Sequence, residues 1–274
     1  MPIPFSLLMS AYKGDDPEYC RQALESVCQG SVVPDELVLV LDGPVPQSLR
    51  SIIDSFLDRL PLILVPLPEN RGLGPALAAG LPHCRHEWVA RFDTDDLCMP
   101  DRFARQLAFI AAHPHIDAFS SPILEFEHSH LEPGLLLKSV PCGQAELARY
   151  ARWRNPFNHM TVMFRKQQVL NAGSYQDDRY FEDYALWVRL LLNGALLDNM
   201  QEPTVWARAG RTMLARRGGW HYARLEYAIQ RKFLRWGFTN IFEFVRNLSI
   251  RIPVRLLSDS LRGAIYAGRL RRRA

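Results

Sequence analysis

Through the first half of the chain, short apolar runs alternate with stretches of helical period. Phe5 to Met9 and Leu62 to Val65 read as strands. Glu36-Leu37-Val38-Leu39-Val40-Leu41 is apolar almost throughout, as a strand covered on both faces requires. Helices are predicted over Pro17 to about Gln29 and over 47–59, where Leu49, Ile52, Ile53, Phe56, Leu57 and Leu60 fall on one face. A small-residue helix over roughly 73–81, a strand from Trp88 to Phe92, a helix from Pro100 to His113 and a short strand around Asp117 to Ser121 continue the series. This rhythm predicts an α/β fold: a Rossmann-like, mostly parallel sheet with helices on both faces.

The second half is less regular. Met160 to Arg165 reads as a strand. Glu182 to about Asn193 reads as a strongly apolar helix with two acids in its first turn, which suits the helix dipole. From His221 to about Asn247 the pattern is helical and aromatic-rich. Charge changes the picture at the C-terminus. The net charge is +4, yet residues 246–274 hold eight arginines against one acid, Asp259, giving +7 there and −3 elsewhere. The chain therefore divides into a domain over 1–220 and a helical, basic extension over 221–274. Leu, Ile and Val interspersed among the arginines of 246–274 suit an interfacial segment on anionic membrane lipid. Nucleic acid is not expected as a partner, because no binding motif accompanies the tail.

With 48% hydrophobic and 23% charged residues, the 274-residue chain can bury a sizeable core. It has no apolar run of the roughly 18 to 20 residues that span a bilayer. Met1-Pro2-Ile3-Pro4-Phe5 lacks the basic start of a secretory signal. Cys20, Cys28, Cys84, Cys98 and Cys142 are odd in number and include no C-x-x-C pair. They read as reduced thiols of a cytoplasmic protein, neither a disulfide framework nor a zinc site.

Ligands of open α/β sheets bind beyond the carboxyl ends of the strands. Three groups of residues fall there: Ser10-Ala11-Tyr12, Asp42-Gly43, and Asp93-Thr94-Asp95-Asp96. Three carboxylates within four residues repel one another and are costly to desolvate. Oxygen ligands clustered at a strand end suit a hard divalent cation, Mg2+ or Mn2+, and such a cation commonly grips a diphosphate. A capped turn ahead of Pro100, with Asp96 or Asp101 as the cap, would also use these residues. Asn70-Arg71-Gly72-Leu73-Gly74 has neither the dinucleotide spacing nor a Gly-Lys-Ser/Thr.

In order and approximate spacing, five motifs across about residues 5–195 resemble the family 2 glycosyltransferases. They are the strand ending in Ser10-Ala11-Tyr12, Asp42-Gly43, Asn70-Arg71-Gly72, Asp93-Thr94-Asp95-Asp96, and Glu182-Asp183 heading a helix with Leu186-Trp187. Asn155 to Arg165 followed by Asn171-Ala172-Gly173 is most similar to the bacterial members that build exopolysaccharide, capsule or O-antigen. The resemblance implies the GT-A fold and an inverting, metal-dependent transfer of sugar from a nucleotide-sugar, with UDP the expected nucleotide. The acceptor would be a hydroxyl of a polyprenyl-diphosphate-linked glycan, reached at the cytoplasmic face of the inner membrane. It further implies that Asp95 ligates Mn2+ or Mg2+, with Asp93 on the metal or the ribose. Asp183 would be the base, helped by Glu182, and His159 would lie on the acceptor side. Ser10, Ala11, Tyr12, Asp42 and Arg71 would hold the nucleotide. Leu41 stands where the family has the first acid of Asp-Asp-Gly, which leaves base selectivity open. Arg208, Arg211, Arg216 and Arg217, on a loop with Gly218-Gly219, could close over the diphosphate.

Two rivals share some of these motifs. A sugar nucleotidyltransferase also joins a metal to a parallel sheet, but it carries a glycine-rich N-terminal loop where Ser10 to Asp16 has one glycine. A non-catalytic accessory protein would bind nucleotide-sugar and metal without turnover.

Overall fold

The computed structural model describes residues 3–209 and 218–257, together with the backbone of 272–273. The expected alternation opens the chain: β1 (Phe5–Tyr12), α1 (Pro17–Cys28), β2 (Glu36–Asp42), α2 (Gln47–Asp54), β3 (Leu62–Pro66), α3 (Leu73–Gly80) and β4 (Trp88–Arg91). Next come β5 (Leu97–Cys98), α4 (Arg102–Ala112), β6 (Ala118–Ser120), β7 (Ile123–Phe126), β8 (Leu136–Lys138) and α5 (Gln144–Ala151). The remainder comprises β9 (Met163–Arg165), α6 (Lys166–Asn171), α7 (Glu182–Leu192), β10 (Leu197–Asn199), β11 (Val205–Arg208), α8 (Gly219–Arg235), α9 (Ile241–Leu256) and β12 (Arg272–Arg273).

The main sheet has seven strands in the order β10-β6-β9-β4-β1-β2-β3. Strands β4, β1, β2 and β3 are mutually parallel, whereas β9 runs antiparallel to both β4 and β6. Period-2 alternation splits the core in two. Leu7, Met9, Leu37 and Leu39 face α1, α2 and α4, and Leu8, Val38 and Val40 face α3, α6 and α7. Every residue of β2 is buried, as its apolar run predicts. On the α3 side a Cβ at Gly80 would lie 2.5 Å from Val40, so only glycine lets that helix sit so close. Because β1 has β2 on one side and β4 on the other, the chain reverses its direction of travel across the sheet there. The crevice beyond the ends of β1 and β4 is the natural ligand position.

Several sequence expectations are corrected. A second sheet, in the order β12-β8-β7-β11-β5, flanks that crevice. Its strands are two to four residues long, too short to display a period. The helix expected over 47–59 ends at Asp54 and continues as tight turns, such as Phe56 N to Ile53 O and Arg59 N to Phe56 O. Pro61 disfavours helical geometry at Leu60, and Ser55 Oγ takes the carbonyl of Ile52. The helical run from His221 is two helices, α8 and α9, turned at Gly237 (φ +70°) and restarted by an Asn240–Glu243 capping box. Of the eight arginines in 246–274, Arg251 and Arg255 point inward to the fully buried Glu226. The α8–α9 hairpin packs on α7 through a shared cluster that includes Tyr184, Val188, Ile229 and Phe233. Among the described residues no helix is long and apolar enough to cross a membrane.

Candidate active site

The carboxylates of Asp93, Asp95 and Asp96 follow β4 directly, and each has an oxygen within 4.8 Å of the others. Asp96 belongs to the cluster although the sequence assigned the metal role only to Asp93 and Asp95. Its Oδ1 accepts the Arg208 amide at 2.8 Å, while its buried Oδ2 has no hydrogen-bond partner among the described residues. Burial, then Asp95 and Asp93, push the Asp96 carboxyl well above its ordinary range. The capped-turn alternative fails. Asp101 precedes α4 without a side-chain cap and pairs with Arg105 instead. Three clustered carboxylates with an orphaned buried oxygen fit a hard divalent cation, which would fill that lone pair and relieve the repulsion.

Residues outside the motifs hold this corner. Arg91 is 1% exposed, pairs with Asp93 and extends below the cluster from β4. A cation inside the apolar run Trp88-Val89-Ala90-Arg91-Phe92 was the signal that could have found it. Asp15 accepts from Thr94 Oγ1 at 2.9 Å and from the Tyr12 amide at 3.1 Å. Burial, with Asp95 and Asp93 adding repulsion, raises its carboxyl to about 6. Arg208 comes from β11, more than 100 residues away in sequence. Its Nε donates to the Asp95 carbonyl and its Nη2 to Gln22, and its guanidinium covers Tyr19 at 3.8 Å. It braces the acid loop against α1. Arg211, Arg216 and Arg217 lie outside the described residues.

On the β1–β2 side, the three residues named from β1 separate by strand alternation. Ser10 is half-buried and Tyr12 is 38% exposed, but Ala11 is fully buried in the apolar core. Ala11 therefore offers no surface to a ligand, contrary to the expectation of a three-residue wall. Asp42 is also turned inward. Its carboxylate accepts the Arg71 amide at 2.7 Å, the Gly72 amide at 2.9 Å and Asn70 Nδ2 at 2.8 Å. Three of about four lone-pair sites are taken, so Asp42 fixes the 70–72 loop and leaves the exposed Arg71 side chain projecting from it. Gly43, at φ +81°, allows the approach, since a Cβ there would sit 2.5 Å from the Asn70 amide. Gly74 likewise lets the chain around Gln176 close on α3, where a Cβ would meet the Gln176 carbonyl at 2.3 Å.

That contact carries the second acid pair into place, because α7 begins at Glu182 a turn beyond Gln176. Tyr180 holds a left-handed conformation (φ +67°) and stacks on Tyr222 of α8. Asp183 accepts Asn155 Nδ2 at 2.6 Å and the Tyr184 amide at 2.7 Å. Burial, then the charge of Asp183, raise the Glu182 carboxyl to about 7. His159 Nε2 lies 3.0 Å from Tyr175 Oη, and its ring meets Trp187 edge-on. Burial and Arg91 hold His159 neutral. The Tyr175 phenol, raised by burial, senses Arg91, Asp183, Glu182 and Asp93 together. Acids of both motifs, 86 or more residues apart in sequence, thus act on the same two buried groups: Asp93, Glu182 and Asp183 on Tyr175, and Asp93, Asp96 and Glu182 on Arg91. A cleft of ≈ 430 Å³ between α1 and strands β5 and β11 shares Arg208 with this site, but none of the motif acids lines it.

A mostly parallel sheet with clustered acids beyond its switch point defines an α/β protein with a ligand site of the open-sheet type, and sequence similarity gives the family. Glycosyl transferase family 2 matches residues 6–174, and the chain belongs to it. The chain is 40% identical over 258 residues to the amylovoran biosynthesis glycosyltransferase AmsE of Erwinia amylovora, covering 92% of this chain and 96% of that protein. It is 38% identical over 268 residues to the UDP-Gal:alpha-D-GlcNAc-diphosphoundecaprenol beta-1,3-galactosyltransferase of Escherichia coli, covering 98% and 97%. Solved structures of similar fold include S. aureus TarS 1-349 in complex with UDP-GlcNAc (TM-score 0.65, 18% identity, 92% of this chain and 72% of that one). The mannosyltransferase PcManGT from Pyrobaculum calidifontis, in complex with GDP-Man and Mn2+, has a TM-score of 0.64 at 18% identity, covering 98% and 78%. The fold is GT-A-like and the protein is a glycosyltransferase.

Proposed function

We propose that this enzyme moves a sugar, with inversion, from a UDP-linked donor to a hydroxyl of a polyprenyl-diphosphate-linked glycan during cell-surface polysaccharide synthesis. The donor and acceptor classes are supported by the Escherichia coli relative, which is 38% identical over nearly the whole chain. The single observation that supports the reading is that Asp93, from the Asp93–Asp95–Asp96 cluster, and Glu182 and Asp183 all act on the one buried Tyr175 phenol, as Arg91 does. A leaving diphosphate needs positive charge and an attacking hydroxyl needs a base; in this reading the first acid group supplies the one through its cation and the second group supplies the other.

Asp95 and Asp93, with Asp96 behind them, would hold Mn2+ or Mg2+. When bound, that ion neutralises charge on the departing nucleoside diphosphate. Tyr12 and Ser10 bound the nucleoside side, and Asp42 acts through the 70–72 loop to aim Arg71. Arg216 and Arg217 are assigned to the diphosphate from sequence alone. Asp183 removes the acceptor hydroxyl's proton as the oxygen attacks the anomeric carbon and the bond to the diphosphate oxygen breaks. Asn155 orients its carboxylate, and neutral His159, held by Tyr175, borders the acceptor. The acceptor's lipid and the basic C-terminal region point to peripheral contact with an anionic membrane at its cytoplasmic face.

The test is a panel of nucleotide-sugars with Mn2+ or Mg2+ and a sugar-diphosphate-lipid acceptor, following nucleotide release. UDP release that depends on acceptor and disappears in Asp183→Asn is expected. Release of pyrophosphate, or full rates in Asp183→Asn, would overturn the reading.

A further inference from the structure

Helix α9 is built inside out. Its buried residues are Asn247 and Arg255, both polar. Asn247 donates to the Arg152 carbonyl and to Gln230, and Arg255 and Arg251 pair with Glu226 of α8. The helix's apolar residues are half-buried, as are Phe244, Leu248, Ile252 and Val254, or exposed, Ile250 among them on a side apart from the others. Ile241 is 54% exposed, Phe242 82%, Val245 53% and Leu256 40%. At 3.6 residues per turn these four and the exposed Pro253 occupy an arc of about 120°, running about 22 Å along the helix, with Ser249 the one polar residue within it. A solvent-facing helix normally shows the opposite arrangement.

The neighbouring surface is cationic. Arg224, Arg231 and Arg235 are exposed on α8 beside Trp220 (71% exposed) and Tyr227 (48%), and Arg246 is exposed on α9. Tyr227 and Phe244 meet at the seam of the hairpin. Residues 218–257 contain seven Lys and Arg against two acids. Both acids are tied down, Glu226 inside the hairpin and Glu243 by Arg152. Only positive charge is left facing outward.

We infer that the outer face of the α8–α9 hairpin is a docking surface for an anionic lipid bilayer. The α9 stripe enters the headgroup boundary, and the arginines of α8 and Arg246 engage lipid phosphates. A second copy fits the surface poorly, because a two-fold contact would oppose two sets of arginines. Here the surface lies within 218–256, whereas sequence alone placed the lipid contact over 246–274. It deepens the reading of a lipid-linked acceptor, and rests on it for its purpose. The hairpin grips α7 through Tyr184 and Phe233, and Arg251 donates to the Trp153 carbonyl just ahead of Asn155. Docking this face would hold the N-terminus of α7, with Glu182 and Asp183, beside the layer that carries the acceptor.

Co-sedimentation of the full chain with phosphatidylcholine vesicles, with and without phosphatidylglycerol, tests this. Wild type is expected to bind the anionic vesicles and to be released at about 1 M salt, where the Debye length is about 3 Å. Ile241→Ser/Phe242→Ser/Val245→Ser, and separately Arg224→Gln/Arg231→Gln/Arg235→Gln, are expected to weaken partitioning about tenfold or more. Phe242→Ser alone, at the most exposed position, covers the case in which a triple variant folds poorly. Transfer to a detached, water-soluble acceptor is expected to be unchanged in all three variants. If wild type ignores anionic vesicles, or both triple variants bind as well as wild type, the proposal falls. It also falls if sedimentation velocity shows a dimer that Phe242→Ser abolishes. Vesicle binding as expected, with no transfer by wild type to any acceptor, would instead overturn the functional reading.

Discussion

Replacing Glu182 by Gln removes the carboxyl that burial and Asp183 raise from the usual 4.5 to about 7. Between those values the folded protein keeps a proton that the unfolded chain has lost, so the native state binds more protons and stability falls as pH rises. The extra stability is fully present below about 4.5 and gone above about 7. At about 1.36 kcal/mol per pH unit, the rise corresponds to about 3 kcal/mol. Gln keeps the shape and is neutral throughout. Asp15 and Asp96 titrate in the same direction, but they do so in both proteins, so the difference between wild type and variant isolates Glu182. Urea unfolding of the metal-free protein at pH 5 and pH 8 is the assay. Glu182→Gln is expected to match wild type within about 1 kcal/mol at pH 5 and to be more stable by about 3 kcal/mol at pH 8. An equal difference at both pH values would refute the burial and coupling of the pair.

Asp183→Asn is expected to lower transfer by about 10² to 10⁴ while leaving the fold intact, since its amide oxygen still accepts from Asn155; rates and a thermal melt check both. Asn155→Ala removes a hydrogen bond to a charged group worth about 1.5–3 kcal/mol, so kcat is expected to fall roughly 10- to 100-fold with donor KM little changed. Steady-state kinetics with each substrate varied will separate the two effects. Arg208→Ala deletes the brace between the Asp95 carbonyl, Gln22 and Tyr19, and is expected to weaken Mn2+ binding roughly 10- to 100-fold by calorimetry. Trp187→Ala, at a fully buried position against Phe157 and His159, is expected to cost about 3–5 kcal/mol in denaturant unfolding.

Much of the scaffold was legible because its signals are local. The apolar run of β2 required cover on both faces, and the acids after β4 fell where an α/β sheet binds ligands. The missing parts depend on partners distant in sequence. Strand β9, three residues long, gives no sign that it runs antiparallel. Arg208 looked like one arginine of a basic loop, and only the pairing of β11 with β5 and β7 brings it to Asp95 and Asp96. Asp42 read as a ligand contact because an Asp-Gly turn does not reveal that its carboxylate is occupied by the 70–72 loop. The 221–247 run kept its helical period across Gly237, so the hairpin and its outward apolar face appeared only in three dimensions.

The central claim is that the acids beyond β4 hold a cation that receives a nucleoside diphosphate. Calorimetric titration of UDP into the protein, with Mn2+ and after chelation, in wild type and Asp95→Asn, addresses it most directly. Mn2+ is predicted to tighten UDP binding about tenfold or more in wild type and to have no effect in Asp95→Asn. Equal UDP affinity with and without Mn2+ in wild type, or an undiminished Mn2+ effect in Asp95→Asn, would contradict it.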